Sequence, residues 1–322
     1  MTNQGTLNET PIDLVYLWVD GNDINWQKKR AQYQQQTENC DPQAIGTCRF
    51  YNNDELKYSL RSVEKNIPWI NRIFIITDAQ TPAWLNTDHP KIRIVDHKEI
   101  IPADKLPLFN SCAIESRIPF IPDLSEHFIY ANDDMFVWNP SEKRFFYTDN
   151  GEPICRFGSA LKNSSLQESL YARTINSAHK KIKEKYVLEI LPSFPHHNMD
   201  AYLKSTFLNC ISEFNNDFEN MLSNRFRAES DVQRVVVSFY MIANHLALPH
   251  FIKKKNWFQK YILKQHEESR CYHWHGHRTG RIKKKKCNLL CINDCLRTSM
   301  DDRHQIRLLL EEKFPEKSSF EL

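Results

Sequence analysis

Asn132-Asp133-Asp134 stands between two apolar runs, Phe128-Ile129-Tyr130 and Met135-Phe136-Val137-Trp138. A buried, unpaired carboxylate is strongly unfavourable, so two adjacent ones between segments that want burial need a strong partner. A divalent cation is the obvious one: Mg²⁺, or Mn²⁺ in its place, takes hard oxygen ligands and bridges carboxylates to phosphates. His196-His197 follows Pro195. Imidazoles with the usual pKa of about 6.5 suit proton transfer at neutral pH. A third constellation is CYHWHGH, 271–277, with Cys271, His273, His275 and His277, followed by Cys287, Cys291 and Cys295. Mixed Cys/His sets bind structural Zn²⁺. This spacing fits no familiar zinc finger, so a histidine-lined active-site wall and plain packing stand as alternatives. Alternate residues of 271–277 point one way if the stretch is a strand. Thiols at 287, 291 and 295 share one face if theirs is a helix.

Positioning these groups requires regular elements. Four short apolar runs read as buried strands: 14–19, 73–76, 92–95 and 128–130. Between the first two, Leu56, Leu60, Val63 and Ile67 fall at helical spacing, with Asn53 or Asp54 as the cap. Strand, helix, strand in that order predicts a mostly parallel sheet. Each run is followed by an acid, namely Asp20, Asp78, Asp96 and the pair Asp133-Asp134. Ligands of open α/β sheets bind beyond the carboxyl ends of the strands. Singly, Asp78 and Asp96 also read as turn or cap aspartates. Trp18, Asp20, Gly21 and Asn22 close the first run in a tight turn able to hold a nucleotide base and ribose, with Asp20 on a hydroxyl. Trp18 fits core packing equally well. Residues 160–190 read as a helical insertion or lid. Ser230-Asp231 reads as the cap of a helix carrying Val232, Val235, Val236, Phe239, Tyr240 and Ile242. The cationic and aromatic stretch 252–264 reads as a solvated helix with one buried face, a membrane-surface segment being the alternative. The Lys283–Lys286 run reads as solvated surface.

The 322 residues are 41% hydrophobic, enough for a sizeable core. A net charge of +3 is far from that of a dedicated nucleic-acid binder, so no nucleic-acid partner is expected, and it suits an anionic substrate. Residues 1–10 are polar and no apolar run approaches a membrane span. The expectation is a cytoplasmic protein, with peripheral contact at the inner face of the membrane or with a capsule assembly. Cysteines there serve as thiols or metal ligands rather than disulfides.

The chain resembles the Stealth family of sugar-1-phosphate transferases, which includes bacterial capsular polysaccharide phosphotransferases and the animal GlcNAc-1-phosphotransferase. The matching blocks are IDLVYLWVDGND (12–23), the long stretch from RFYNNDELKYS at 49 to NDDMF at 136, FPHHNMDAYLKS (194–205) with RFRAESDVQ (225–233), and CNLLCINDCL (287–296). The resemblance implies an α/β fold: a Rossmann-like, GT-A-like nucleotide-sugar core over 12–138 with a mostly parallel sheet and helical additions. In that reading one catalytic domain covers 1–322, and a helical part, 191–322, completes the active site. The short chain fits a bare catalytic unit of bacterial type. The implied reaction moves sugar-1-phosphate from a nucleoside-diphosphate sugar, a UDP-sugar first, to a polysaccharide or oligosaccharide hydroxyl, and a nucleoside monophosphate leaves. A metal-dependent glycosyltransferase and a non-catalytic assembly subunit are the rival readings.

The resemblance also distributes roles. Glu115 in SCAIESR matches a catalytic glutamate of the family motif, and His196 its Pro-His pair, with His197 an extra histidine beside it. Asp134 rivals His196 as general base. Arg227 matches the arginine of the third block, a guanidinium suited to phosphate oxygens, and Asp231 goes with it as a substrate contact. A helix-terminal salt bridge is the plain alternative for that pair. Arg49 and Arg61 lie in the second block and face a diphosphate or pair with Glu55 or Glu64. Asn293 and Asp294 join Asp133 and Asp134 around the metal, or form a capped turn.

Overall fold

The computed structural model describes residues 7–37, 41–252, 267–275 and 286–322, with Thr279 and Ile282, and only the backbone of Ser165, Glu168 and Glu267. All but the first residue of 252–264, all but the last of Lys283–Lys286, and His277 lie outside the described residues. The described strands are β1 Ile12–Leu17, β2 Ile73–Thr77, β3 Ile92–Asp96, β4 His127–Asn132, β5 Met135–Val137, β6 Ile154–Ala160, β7 Ser193–Pro195, β8 Asp200–Leu203, β9 Leu248–Phe251, β10 Glu267–His273 and β11 Cys287–Asn293.

The four apolar runs form the parallel strands β1 to β4, ordered β3-β2-β1-β4, with β8 antiparallel at the edge beside β4. That is the α/β sheet expected from strand–helix–strand order. Period-two alternation splits these strands between two cores. Val15, Phe74, Ile76, Phe128 and Tyr130 face one core, together with Ile175, Phe207 and Phe239 of the helices Leu170–Lys183, Lys204–Glu213 and Val235–Ala243. Leu14, Tyr16, Ile73, Ile75, Ile129 and Ala131 face the other, against Leu56, Leu60 and Val63 of the helix Glu55–Asn66. Residues covered on both faces explain why these runs are continuously apolar. Asp13, buried within β1, accepts hydrogen bonds from Asn71 Nδ2 and the Arg72 and Ser125 amides, tying together the loops before β2 and β4.

Two smaller sheets flank the site. In the first, β10 and β11 run parallel and β11 pairs antiparallel with β5. Trp138, Trp274, Leu290 and Ile292 pack there against Ile306, Leu309 and Leu310 of the helix Met300–Lys313. In the second, β6 lies between β7 and β9. The described residues of 191–322 therefore hold five strands as well as helices. Cys287 and Cys291 lie on β11, not on a helix, because CNLLCIN finds β5 and β10 as hydrogen-bonding neighbours. The stretch 160–190 is helical over Asn163–Glu168 and Leu170–Lys183, and the second helix buries Leu170, Ile175, Ala178 and Ile182. The helix expected after Ser230 begins only at Val235, since Asp231 turns its carboxylate elsewhere. Asp54 sits at the cap of the helix Glu55–Asn66, at φ 62°, but makes no side-chain capping bond. Among the described residues no helix is long and apolar enough to cross a membrane.

Candidate active site

A cleft of about 1010 Å³ opens at the carboxyl ends of β1 and β4. Asp133 and Asp134 form the turn between β4 and β5 and line it, as does Glu55, the first residue of its helix. Burial pushes the Asp133 carboxyl up to about 6. Burial, then the neighbouring Asp133, pushes Glu55 up to about 8. The same two causes hold Asp134 well above the usual carboxylate range. Asp134 Oδ2 accepts from the Cys291 thiol at 3.5 Å, while its buried Oδ1 has no hydrogen-bond partner among the described residues. Carboxyls that raise one another's pKa across a cleft are the kind of oxygen donor a hard divalent cation takes. Mg²⁺ fits these residues.

Guanidinium groups occupy the same cleft. Arg227 donates to Ser111 Oγ, and Arg49 donates from Nε to the Gln43 carbonyl. Arg234 is buried; its NH1 lies 3.3 Å from Glu115 Oε2 and its NH2 2.6 Å from Asp200 Oδ2. Glu115 ends the helix Ser111–Glu115, whose Asn110 cap accepts from the Cys112 and Ala113 amides. The other Glu115 oxygen accepts from Tyr130 at 3.3 Å. Glu115 thus holds an arginine at the cleft wall.

Of the adjacent pair His196-His197, it is His197 that lines the cleft. Its Nε2 lies 3.1 Å from Asn293 Nδ2, and burial, then Arg234, lowers its pKa to about 3. His196 is absent from the lining; its amide donates to the Arg156 carbonyl, and burial, then Arg156, lowers its imidazole to about 4. Adjacent residues leaving a strand point to opposite sides, and here the second one faces inward.

Trp18, Arg49, Glu115, Asp133, Asp134, Arg227, Asn293 and Asp294 converge on the cleft; Asp294 is also clasped by Arg303 at 2.8 Å. Five expected contacts do not line it. Asp20 accepts from the Asn22 amide and takes Gln80 on its own amide. Asn22 donates to the Asn52 carbonyl, and Gly21 lies so close to the Phe50 carbonyl that an added Cβ would fall 1.7 Å from it. This turn supports the segment 49–51 that forms the wall. Arg61 is drawn away by Glu321, at 2.7 Å, and by the Phe314 carbonyl. Asp231 is buried and accepts from Asn110, Asn224 and the Ala228 amide. Asp78 takes Trp26 and Lys29, and Asp96 caps the helix His97–Ile100. Cys271, His273, His275 and Cys295 line the cleft as a wall.

Sequence reasoning missed Glu55 and Arg234. Arg234 had a signal: it is a lone cation running into Val235-Val236-Val237, and a charge entering a buried helix needs a buried partner.

Fold and cleft together define an α/β protein whose parallel sheet presents acids and arginines to one cavity at its carboxyl edge. Conserved region 2 of the Stealth proteins matches residues 49–155, and conserved region 1 matches residues 10–38. The chain belongs to the Stealth family. It is 40% identical over 232 residues to the capsular polysaccharide phosphotransferase fcs1 of Haemophilus influenzae, covering 69% of this chain and 62% of that protein. It is 29% identical over 347 residues to the exopolysaccharide phosphotransferase cps2G of Lactiplantibacillus plantarum, covering 96% of each. The chain thus spans less than two thirds of the Haemophilus relative's length. Among solved structures, the galactosyltransferase LgtC, in complex with donor and acceptor sugar analogues, aligns with a TM-score of 0.44 at 10% identity, over 95% of this chain and 98% of that one.

Proposed function

We propose that this chain transfers sugar-1-phosphate from a nucleoside-diphosphate sugar to a hydroxyl of a glycan acceptor in capsule or exopolysaccharide synthesis. One observation carries the reading: Glu55, Asp133 and Asp134 share a single cleft with Arg49, Arg227 and Arg234. A diphosphate needs cationic groups around it, and a carboxylate-bound cation adds to them. The names of the capsular and exopolysaccharide relatives support the same class of reaction.

Asp133 and Glu55 would hold Mg²⁺, with Asn293 beside them; bound there, the ion supplies charge neutralisation for the donor phosphates. Arg227 and Arg49 grip phosphate oxygens, and Glu115 with Asp200 keeps the Arg234 guanidinium at the wall. Asp134, through its free Oδ1, takes the proton of the acceptor hydroxyl. The acceptor oxygen bonds to the sugar-proximal phosphorus, and the bond from that phosphorus to the bridging oxygen breaks. The nucleoside monophosphate leaves with the electron pair. Crowding of the carboxyls by burial and by one another keeps Asp134 basic enough for this role.

The test is the nucleotide product. The protein is incubated with Mg²⁺, UDP-, CDP- or GDP-sugars and a capsule-type oligosaccharide, and nucleotides are separated by anion exchange. Acceptor-dependent release of a nucleoside monophosphate is expected. Release of a nucleoside diphosphate instead means glycosyl transfer and overturns the mechanism.

A further inference from the structure

Asp134 has neighbours that a magnesium site does not need. A carboxylate oxygen of Asp134, a ring nitrogen of His197 and the Sγ of Cys291 all lie within 4.8 Å of one another. Three separate segments bring them together: the β4–β5 turn, the chain just after β7, and β11. Cys291 is fully buried, and its Sγ stands 3.5 Å from Asp134 Oδ2. Directly across the parallel ladder from Cys291 is Cys271. Independently of that cluster, Asp134 Oδ1 is buried without a hydrogen-bond partner among the described residues.

Hard Mg²⁺ does not favour sulfur or imidazole, whereas Zn²⁺ takes thiolate, imidazole and carboxylate together. Zn–S and Zn–O bonds of about 2.3 and 2.0 Å at tetrahedral angles separate the two ligand atoms by about 3.5 Å. The Cys291 to Asp134 separation already has that value.

We propose that Asp134, His197 and Cys291 bind Zn²⁺, with the fourth position left to water, and that the bound ion inhibits the enzyme by occupying Asp134. On binding, the Cys291 thiol gives its proton to the buffer and a Zn–S bond forms. The binding site rests on these donors alone; only the inhibition rests on Asp134 as proton acceptor.

The full chain, stripped with a chelator, is titrated with Zn²⁺ and, separately, with Co²⁺. One tightly held Zn²⁺ per chain is expected, together with a thiolate-to-cobalt charge-transfer band in the near ultraviolet. Cys291→Ser loses the band; Cys295→Ser and Cys210→Ala keep it. No zinc near one equivalent, a cobalt spectrum without that band, or a band that survives in Cys291→Ser but not in Cys295→Ser overturns the site. Should Cys291→Ser not fold, His197→Ala reads the same site through zinc affinity weakened by about tenfold or more; unchanged affinity overturns it. Nucleoside monophosphate release by the wild-type chain stops at one equivalent of Zn²⁺. Continued release with the cobalt or zinc site filled overturns the inhibition. If no transfer occurs at all, the binding results still stand, and the reading of the reaction is what fails.

Discussion

At the scale of single residues, Asp134 combines a cost with a use. Asp133 crowds its carboxyl, and Oδ1 is buried without a hydrogen-bond partner among the described residues. Such groups persist at functional sites despite their effect on stability. Asp134→Asn is therefore expected to abolish nucleoside monophosphate release while leaving the thermal midpoint unchanged or higher. A large drop in the midpoint would mean that the carboxylate is structural. Arg227 is the complementary case. Removing one preorganised cationic donor from a phosphoryl-transfer site costs about 10²–10³ in kcat. Arg227→Ala should lose that much in a steady-state assay, and a near-wild-type kcat would remove it from the phosphate grip.

The turn after β1 is the element that sets the wall. Gly21 packs against the Phe50 carbonyl, and Asn22 donates to the Asn52 carbonyl, so the turn 18–22 braces the segment 49–52. A methyl at position 21 has no room, and overpacking of this kind costs about 1–3 kcal/mol. Gly21→Ala should lower the unfolding free energy read from urea titration by that amount. It should also raise the KM for the donor, because Arg49 and Phe50 are displaced together. A stability loss with unchanged KM would separate the turn from the cleft. This is the part that Asp20, Gly21 and Asn22 play: they support the site from behind.

Across the whole molecule, the last residues close back onto the helix Glu55–Asn66. Arg61 and Glu321 form a two-pronged ion pair, with Nε and NH2 each 2.7 Å from a carboxylate oxygen. Breaking a buried pair from one side costs about 3–5 kcal/mol, so Arg61→Ala should be strongly destabilising in chemical unfolding. The pair also makes stability pH-dependent. Burial pushes the Glu321 carboxyl up, but Arg61 and the Ser318 amide outweigh it and hold it below the usual 4.5. A carboxyl depressed in the folded state stabilises fully above its unfolded value, and that contribution is lost as pH falls through the folded value. Glu321→Gln should therefore be less stable than wild type near neutrality, with the difference shrinking below about pH 4.5. Parallel curves across that range would count against the pair.

The sequence by itself determined the parallel sheet, because the runs forming β1 to β4 and the spacing of Leu56, Leu60 and Val63 are periodic within single segments. It also determined that Asp133 and Asp134 stand at the carboxyl edge, since the acids directly follow the run that becomes β4. Tertiary structure decided which charges meet. Glu115 and Arg234 are 119 positions apart, and nothing local in either segment announces the other. Arg61 and Arg49 look alike in sequence, yet the chain end captures one and leaves the other on the wall. His196 and His197 differ only in which side of the backbone they leave, a choice set by how β7 pairs with β6. The thiols of 287 and 291 lie on a strand rather than a helix because β5 and β10 offer hydrogen-bonding edges that the segment alone does not contain. Patterns repeat along one segment and can be read there; pairings between segments exist only once the chain has folded.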